Sequence, residues 1–384
     1  MRDLDFMTAP LPGPELHAVL RDARRTAPVV DVTLWGAPAQ LVLRYADLRD
    51  FLADHGQFPG GDIYQFHTQP VVGDTFISLN GPEHDRYRQL ATPAFRSRAT
   101  TRFVDSELTP LAHEVVDGFV DRGHADLFDV FVGVLPFWSI SRKLGLPVGT
   151  EDNQRKWALQ MLSYPADPEG ALEAADAVTE FLMPALEERR RAPRDDVLSH
   201  LLHAEHDGVR LTDFEVVSHV RLLYSVGATT TSDSMSSLFW TLLTHPELLE
   251  RAGREPELRP RLVHELLRWE PPVALLPRVA PRGGEIAGVT IPEGGILLAA
   301  IASANRDETV FDDPDRFDPD REQGELLTFG FGNKFCPGSH LARRQLLAAL
   351  DVVLERLPNL RLVAADPPSG GILRRTEHLE VAWD

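Results

Sequence analysis

The single cysteine of the chain, Cys336, lies in FGFGNKFCPGSHLAR, residues 329–343. Gly330 and Gly332 permit a tight loop with φ > 0. Pro337 suits the first turn of a helix, because it has no N–H to leave unpaired. Cys336 is therefore expected at a helix N-terminus, with Gly338 letting the backbone approach the sulfur. Free amides and the helix dipole favour a thiolate there. Such a thiolate suits metal ligation or nucleophilic attack. Attack needs a base, and His340, about one turn on, is the local candidate. Zinc needs more protein ligands than this loop offers. Haem iron needs one proximal ligand, and a cysteine thiolate can be that ligand.

A second stretch, SVGATTTSD (Ser225–Asp233), interrupts a long apolar run with a glycine and three threonines, all poor helix residues. Glu265 and Arg268 stand at i, i+3 in HELLRWEPPV, which by itself is an ordinary helix ion pair. His84 and Arg88 share a helix face in GPEHDRYRQL, at i, i+4. Arg278 ends an apolar strand-like run in LLPRVAPRGG. Taken alone, each of these cations reads as a solvated surface charge.

Taken together and in this order, the motifs resemble the cytochrome P450 superfamily along nearly the whole chain. The family loop is Phe-x-x-Gly-x-(His/Arg)-x-Cys-x-Gly, often followed by Leu-Ala-Arg, here Leu341-Ala342-Arg343. The resemblance implies a haem b whose axial thiolate is Cys336, in a loop that includes Phe329 and Gly338. It implies propionate contacts from His84, Arg88 and Arg278. Lys334 replaces the usual His or Arg, and would meet a propionate as a point charge without the guanidinium fork. Glu265, Arg268 and Arg316, the last in Asp315-Arg316-Phe317, would form a structural network beneath the haem.

The resemblance also gives SVGATTTSD a role. The family's long central helix carries (Ala/Gly)-Gly-x-(Asp/Glu)-Thr-(Thr/Ser). Gly227 takes the glycine position, opening a groove for dioxygen, and Thr230 takes the threonine that helps deliver protons. A register one residue later would choose Thr231; the glycine and the spacing to Glu265 favour Thr230. Thr229 stands where Asp or Glu is usual. Threonine can pass a proton but cannot act as an acid near neutral pH. Asp233, one turn beyond Thr229, could substitute through water, as could a substrate group.

The elements that must position these residues are mainly helical. Thr212 and Glu215 form a capping-box pattern, and Pro246 stops the helix that begins there. The expected helix crosses the whole domain and buries its middle. VVDVTLWGAPAQLVLR reads as two strands around a turn at Gly36-Ala37-Pro38, residues 273–301 read as strands, and a helix follows from Ser339 to about Leu357. With no linker or repeat, the expectation is one domain over residues 1–384. The implied fold is mainly α (α+β), a large helical domain with a small β-rich region. Haem would lie between the central helix and the cysteine-loop helix.

Composition narrows the rest. A net charge of −19 over 384 residues argues against non-specific nucleic-acid binding. One cysteine excludes an intrachain disulfide or a multi-cysteine zinc site. The N-terminus lacks a signal-peptide pattern, and no apolar run is long enough to span a membrane, so a cytoplasmic protein is expected.

The resemblance implies substrate contacts from residues 60–73, 222–230, 273–276 and 370–378, mostly apolar, for a small or medium organic molecule. Arg374 and Arg375 are expected on a solvated turn or against an anionic substrate. No flavin motif or ferredoxin cysteines occur, so electrons would come from an external ferredoxin and its reductase. Arg96, Arg98, Arg102, Arg343 and Arg344 would form their basic docking patch. The implied activity is a haem-thiolate monooxygenase, by hydroxylation or epoxidation. The missing acid keeps a second use of the scaffold open: peroxygenase, oxidative coupling, cyclisation or nitration.

Overall fold

A computed structural model describes residues 1–2, 4–148 and 151–384. Helices dominate, and the strands gather in small sheets, as the helical patterning requires. Strand Val29–Leu34 pairs antiparallel with Ala37–Val42, with Leu34 opposite Ala37. The turn is Trp35-Gly36, both at positive φ (51° and 73°), as a tight two-residue hairpin needs. Pro38, expected in the turn, lies in the second strand opposite Thr33. Asp5 fixes the turn by accepting from Trp35 N and Gly36 N at 3.2 and 2.7 Å. The hairpin grows into a four-stranded sheet. Ala37–Val42 runs parallel to Gly295–Ala299, which pairs antiparallel with Leu276–Ala280 and so positions Arg278.

The central helix is Asp213–Thr244, and its 32 residues span about 48 Å. The capping box forms: Thr212 Oγ1 accepts from Glu215 N at 3.3 Å, and the Glu215 carboxylate accepts from Thr212 N at 2.7 Å. The helix packs on Leu135–Leu144 and on the cysteine helix, Ser339–Arg356. Its middle is buried despite its hydroxyls. Ser225, Thr229, Thr230, Thr231 and Ser234 each donate to the carbonyl four residues back, so none of these hydrogens is stranded.

Candidate active site

The cysteine loop closes through Cys336 N, which donates to Phe329 O at 2.8 Å. Gly330 and Gly332 have φ of 73° and 71°. At Gly332 a Cβ would also lie 2.6 Å from His55 Nε2, which accepts from Asn333 N at 3.0 Å. Phe329 packs against Phe335 on one side and carries the Arg343 guanidinium 4.4 Å above its ring. Gly338 differs from expectation. A Cβ there would sit 3.8 Å from the sulfur, an ordinary contact, so closeness alone does not demand glycine. Burial pushes the Cys336 thiol up, while the Gly338 and Ser339 amides, Arg88 and Arg343 pull it down without prevailing. Burial thus opposes the ionisation that the amides and guanidiniums favour, and a cation bound at the sulfur would add to their pull. His340 is exposed and makes no hydrogen bond among the described residues, which leaves the nucleophile reading without its base.

Cations converge beside this loop. Arg88 donates to Phe335 O and feels the Cys336 sulfur. The side chain of Arg278, 4% exposed, makes a single hydrogen bond among the described residues, to Pro277 O at 3.3 Å. A Cβ on Gly60 would touch both Arg278 and Lys334, so the two stems lie side by side. His84 is fully buried; Nδ1 meets Asp85 at 3.0 Å, and Nε2 has no partner. Burial and the Lys334 charge hold the His84 ring down at about 4. Burial, Arg278 and Arg88 hold Lys334 down at about 7. Among the described residues, Arg88, Arg278 and Lys334 have no ion-pair partner within 4.0 Å. Lys334 itself is a correction. Its ammonium donates to the carbonyls of Phe76, Ile77 and Leu79 at 3.2, 3.1 and 2.6 Å. All three donors are thus spent on the segment before helix Gly81–Ala91, and none is left for a propionate.

The buried pair Glu265–Arg268 is bidentate, at 2.8 and 2.7 Å. Arg268 also donates to the carbonyls of Asn305, Pro314 and Arg316, at 3.0, 2.9 and 3.1 Å. The expected third side chain is not there: Arg316 supplies only its carbonyl and is exposed. Arg321 fills that place, with Nε 3.5 Å from Glu265 and further bonds to the carbonyls of Asp312, Asp313 and Arg316. The loop contains Asp-Arg twice, at 315–316 and 320–321. The second pair follows Phe317-Asp318-Pro319, where Asp318 N already bonds Glu265 at 2.8 Å.

The cytochrome P450 family model matches residues 169–360. Mycinamicin IV hydroxylase/epoxidase of Micromonospora griseorubida is 34% identical, covering 91% of this chain and 90% of that protein. Nocardicin C N-oxygenase of Nocardia uniformis subsp. tsuyamanensis is 34% identical over 96% of each. This chain belongs to the cytochrome P450 family. Its fold matches that of a cytochrome P450 from Chondromyces apiculatus with a TM-score of 0.89, at 30% identity over 99% and 98% of the two chains. The cytochrome P450 enzyme for C–S bond formation in chuangxinmycin biosynthesis gives 0.88, at 28% identity over 99% and 97%. The protein is thus an oxidoreductase of P450 type acting on organic molecules.

Membership implies haem b on a cysteine thiolate, and the residues fit that group. The P450 loop presents one half-buried cysteine, with the charges of Arg88 and Arg343 acting on its sulfur. Beside it stand a guanidinium with one hydrogen bond, a second guanidinium without an ion pair, and an orphaned imidazole nitrogen. Such a donor set lacks an anion, and propionates are anions.

The central helix of this P450 opens at one place. From Leu222 to Phe239 every residue is buried except Val226, Gly227 and Thr230, which are half-buried and share one helix face. Thr230 donates to Val226 O at 3.1 Å, which leaves its oxygen lone pairs free. Thr229 is turned inward and bonds Ser225 O at 3.0 Å. At Gly227 a Cβ would press Ile140 at 3.0 and 3.1 Å, so its smallness lets helix Leu135–Leu144 pack close. Arg374 departs from both expectations. It is fully buried, donates to Glu270 at 2.7 Å and to the carbonyls of Leu11, Gly370 and Gly13, and is neither solvated nor free for substrate. His17, at 2.9 Å from Glu270, completes a cluster that sequence reading missed.

Proposed function

We infer that this cytochrome P450 is a monooxygenase that inserts one oxygen atom into a small or medium, mostly apolar organic molecule by hydroxylation or epoxidation. A secondary metabolite or xenobiotic is the substrate class. The reading rests on the pairing of a lone half-buried cysteine, beside cations without ion-pair partners, with a hydroxyl-bearing opening in an otherwise buried central helix. Relatives that hydroxylate or epoxidise mycinamicin IV or N-oxygenate nocardicin C support it. The chain acts as one cytoplasmic P450 domain over residues 1–384, and no helix of the described residues is long and apolar enough to cross a membrane.

Bound haem supplies the redox chemistry: it takes up electrons and activates dioxygen, so that one atom enters substrate and the other leaves as water. Cys336 would supply the thiolate that holds the iron, with the Gly338 and Ser339 amides and the Arg88 and Arg343 charges easing its ionisation. His84, Arg88 and Arg278 would hold the propionates. Glu265, Arg268 and Arg321 fix residues 312–318, the segment that precedes the cysteine loop. Val226 shapes the apolar wall, and the Thr230 hydroxyl accepts and passes protons beside it.

Electrons come from a separate ferredoxin and its reductase. Arg96, Arg98, Arg102 and Arg344 are exposed and form the docking patch, while Arg343 is half-buried over Phe329. The second reading, an atypical oxidation on this scaffold, is favoured by one observation: Thr229 offers no acid. The relative that forms a C–S bond is of this kind.

The carbon monoxide difference spectrum of the reduced protein tests the core claim. A thiolate-type Soret shift is expected, and its absence refutes the haem-thiolate site. Turnover with NAD(P)H and ferredoxin, compared with peroxide alone, separates the two readings.

A further inference from the structure

Asp233 is the anomaly of the central helix. It is 3% exposed, and its Oδ2 has no hydrogen-bond partner among the described residues. Arg375 and Glu377 on the C-terminal segment and Arg155 on helix Glu151–Leu162 act on it through space only. A buried carboxyl without a bonded cation keeps its proton. Burial pushes Asp233 up to about 7.

Its surroundings are built from hydroxyls. The neighbours at i−4, i−3, i+3 and i+4 on its own helix are Thr229, Thr230, Ser236 and Ser237. Thr229 and Thr230 spend their hydrogens on Ser225 O and Val226 O, so both oxygens can still accept. Ser237 Oγ is buried without a partner among the described residues, and so is Thr376 Oγ1 on the C-terminal segment. That segment lies against this turn, because Thr376 N donates to Ser236 Oγ at 3.1 Å. One residue further, the chain meets solvent: Glu377 is exposed and pairs with Arg375 at 2.8 Å. Unsatisfied buried hydroxyls beside a protonated acid are the partners that a bridging water needs.

We propose that Asp233 is a proton-relay residue for Thr230, passing a proton toward the half-open face of the helix and recovering one from solvent along Thr376 and Glu377. The proposal rests on the monooxygenase reading. That reaction consumes one dioxygen, one substrate C–H, two electrons and two protons, and yields hydroxylated product and one water. The electrons come from the external donor. Asp233 changes nothing in this balance: its O–H bond breaks when the proton moves to the Thr230 side, and it re-forms with a proton from water. It is a positioning and relay group, since Thr230 stands between it and the reacting atoms.

The test is Asp233→Asn in the holoenzyme, with Asp233→Glu as the conservative control. Peroxide brings its own two electrons and two protons, so peroxide-driven oxygenation needs no relay. The ratio of NAD(P)H-driven to peroxide-driven product should fall about 100-fold in D233N, with peroxide released in place of product, and recover in D233E. The alkaline limb of the NAD(P)H-driven rate near pH 7 should vanish with the carboxyl. Infrared titration gives a readout independent of turnover: a carboxylic-acid C=O band present at pH 6 in wild type and absent in D233N. An unchanged ratio in D233N overturns the proposal, and so does an equal fall in both activities or an ionised Asp233 at pH 6. A wild type that lacks NAD(P)H-driven turnover altogether is instead the failure of the monooxygenase reading.

Discussion

Replacing Arg321 and Arg316 separately should give opposite outcomes, although both are arginines in the same loop. Arg321 is 12% exposed at its side chain. Its guanidinium holds the carbonyls of Asp312, Asp313 and Arg316 and lies 3.5 Å from the Glu265 carboxylate. Hydrogen bonds from a charged group are worth about 1.5–3 kcal/mol each, and freed carbonyls near the surface regain water. Counting two of the four as net losses, Arg321→Ala should cost roughly 3–6 kcal/mol. Glu265 would keep Arg268 and Asp318 N, so no buried charge is stranded and the fold survives. The Arg316 side chain touches none of these groups, so Arg316→Ala should stay within about 0.5 kcal/mol of wild type. Urea unfolding monitored by far-ultraviolet circular dichroism measures both. The ratio of Soret to protein absorbance reports haem retention, which should fall in R321A only. Equal destabilisation by the two variants, or a silent R321A, would refute the assignment.

Other expectations follow from the same contacts. Asp233, at about 7 against an ordinary 3.8, binds a proton that the unfolded chain lacks between those values. Its folded form is therefore favoured below that window and loses stability as pH rises through it. D233N should gain on wild type by roughly 4 kcal/mol from pH 4 to pH 8; a pH-independent difference between their unfolding free energies would count against the burial of that carboxyl. Burial pushes Glu270 up, but His17 and Arg374 pull it down to about 2. The stability it contributes is present above about 4.5 and should be lost as pH falls from there toward 2. Arg374→Ala should cost about 3–5 kcal/mol by leaving the buried Glu270 with the His17 ring alone and no guanidinium, and a shift in substrate affinity without any loss of stability would restore the substrate-anchor reading. Arg278→Ala should release haem to apomyoglobin faster than wild type, whereas Lys334→Ala should alter chiefly the order of the Phe76–Leu79 segment, seen in hydrogen exchange.

Local chemistry carried far in this sequence. The glycines and the lone cysteine of residues 329–343 set the loop, because φ > 0 is a property of single residues; Pro337, expected in the first helical turn, lies before the helix, which starts at Ser339 after its N-cap Gly338. The Thr212–Glu215 capping box, the paired Glu265 and Arg268, and the hairpin at Val29–Val42 are local in the same way. Long cations were another matter. Lys334 turned to three carbonyls of a segment 255 or more residues away. Arg374 sank onto Glu270, and Arg321 took the place expected of Arg316. A flexible side chain reaches several partners, and spacing along the chain does not say which of them folding brings near. The isolation of Asp233 is also tertiary: its residue type announces a surface charge, and only the packing of the C-terminal segment and neighbouring helices removes it from water. The sequence determined which groups the protein has for holding a cofactor and moving protons; the tertiary structure decided which of them are paired, and which are left free to act.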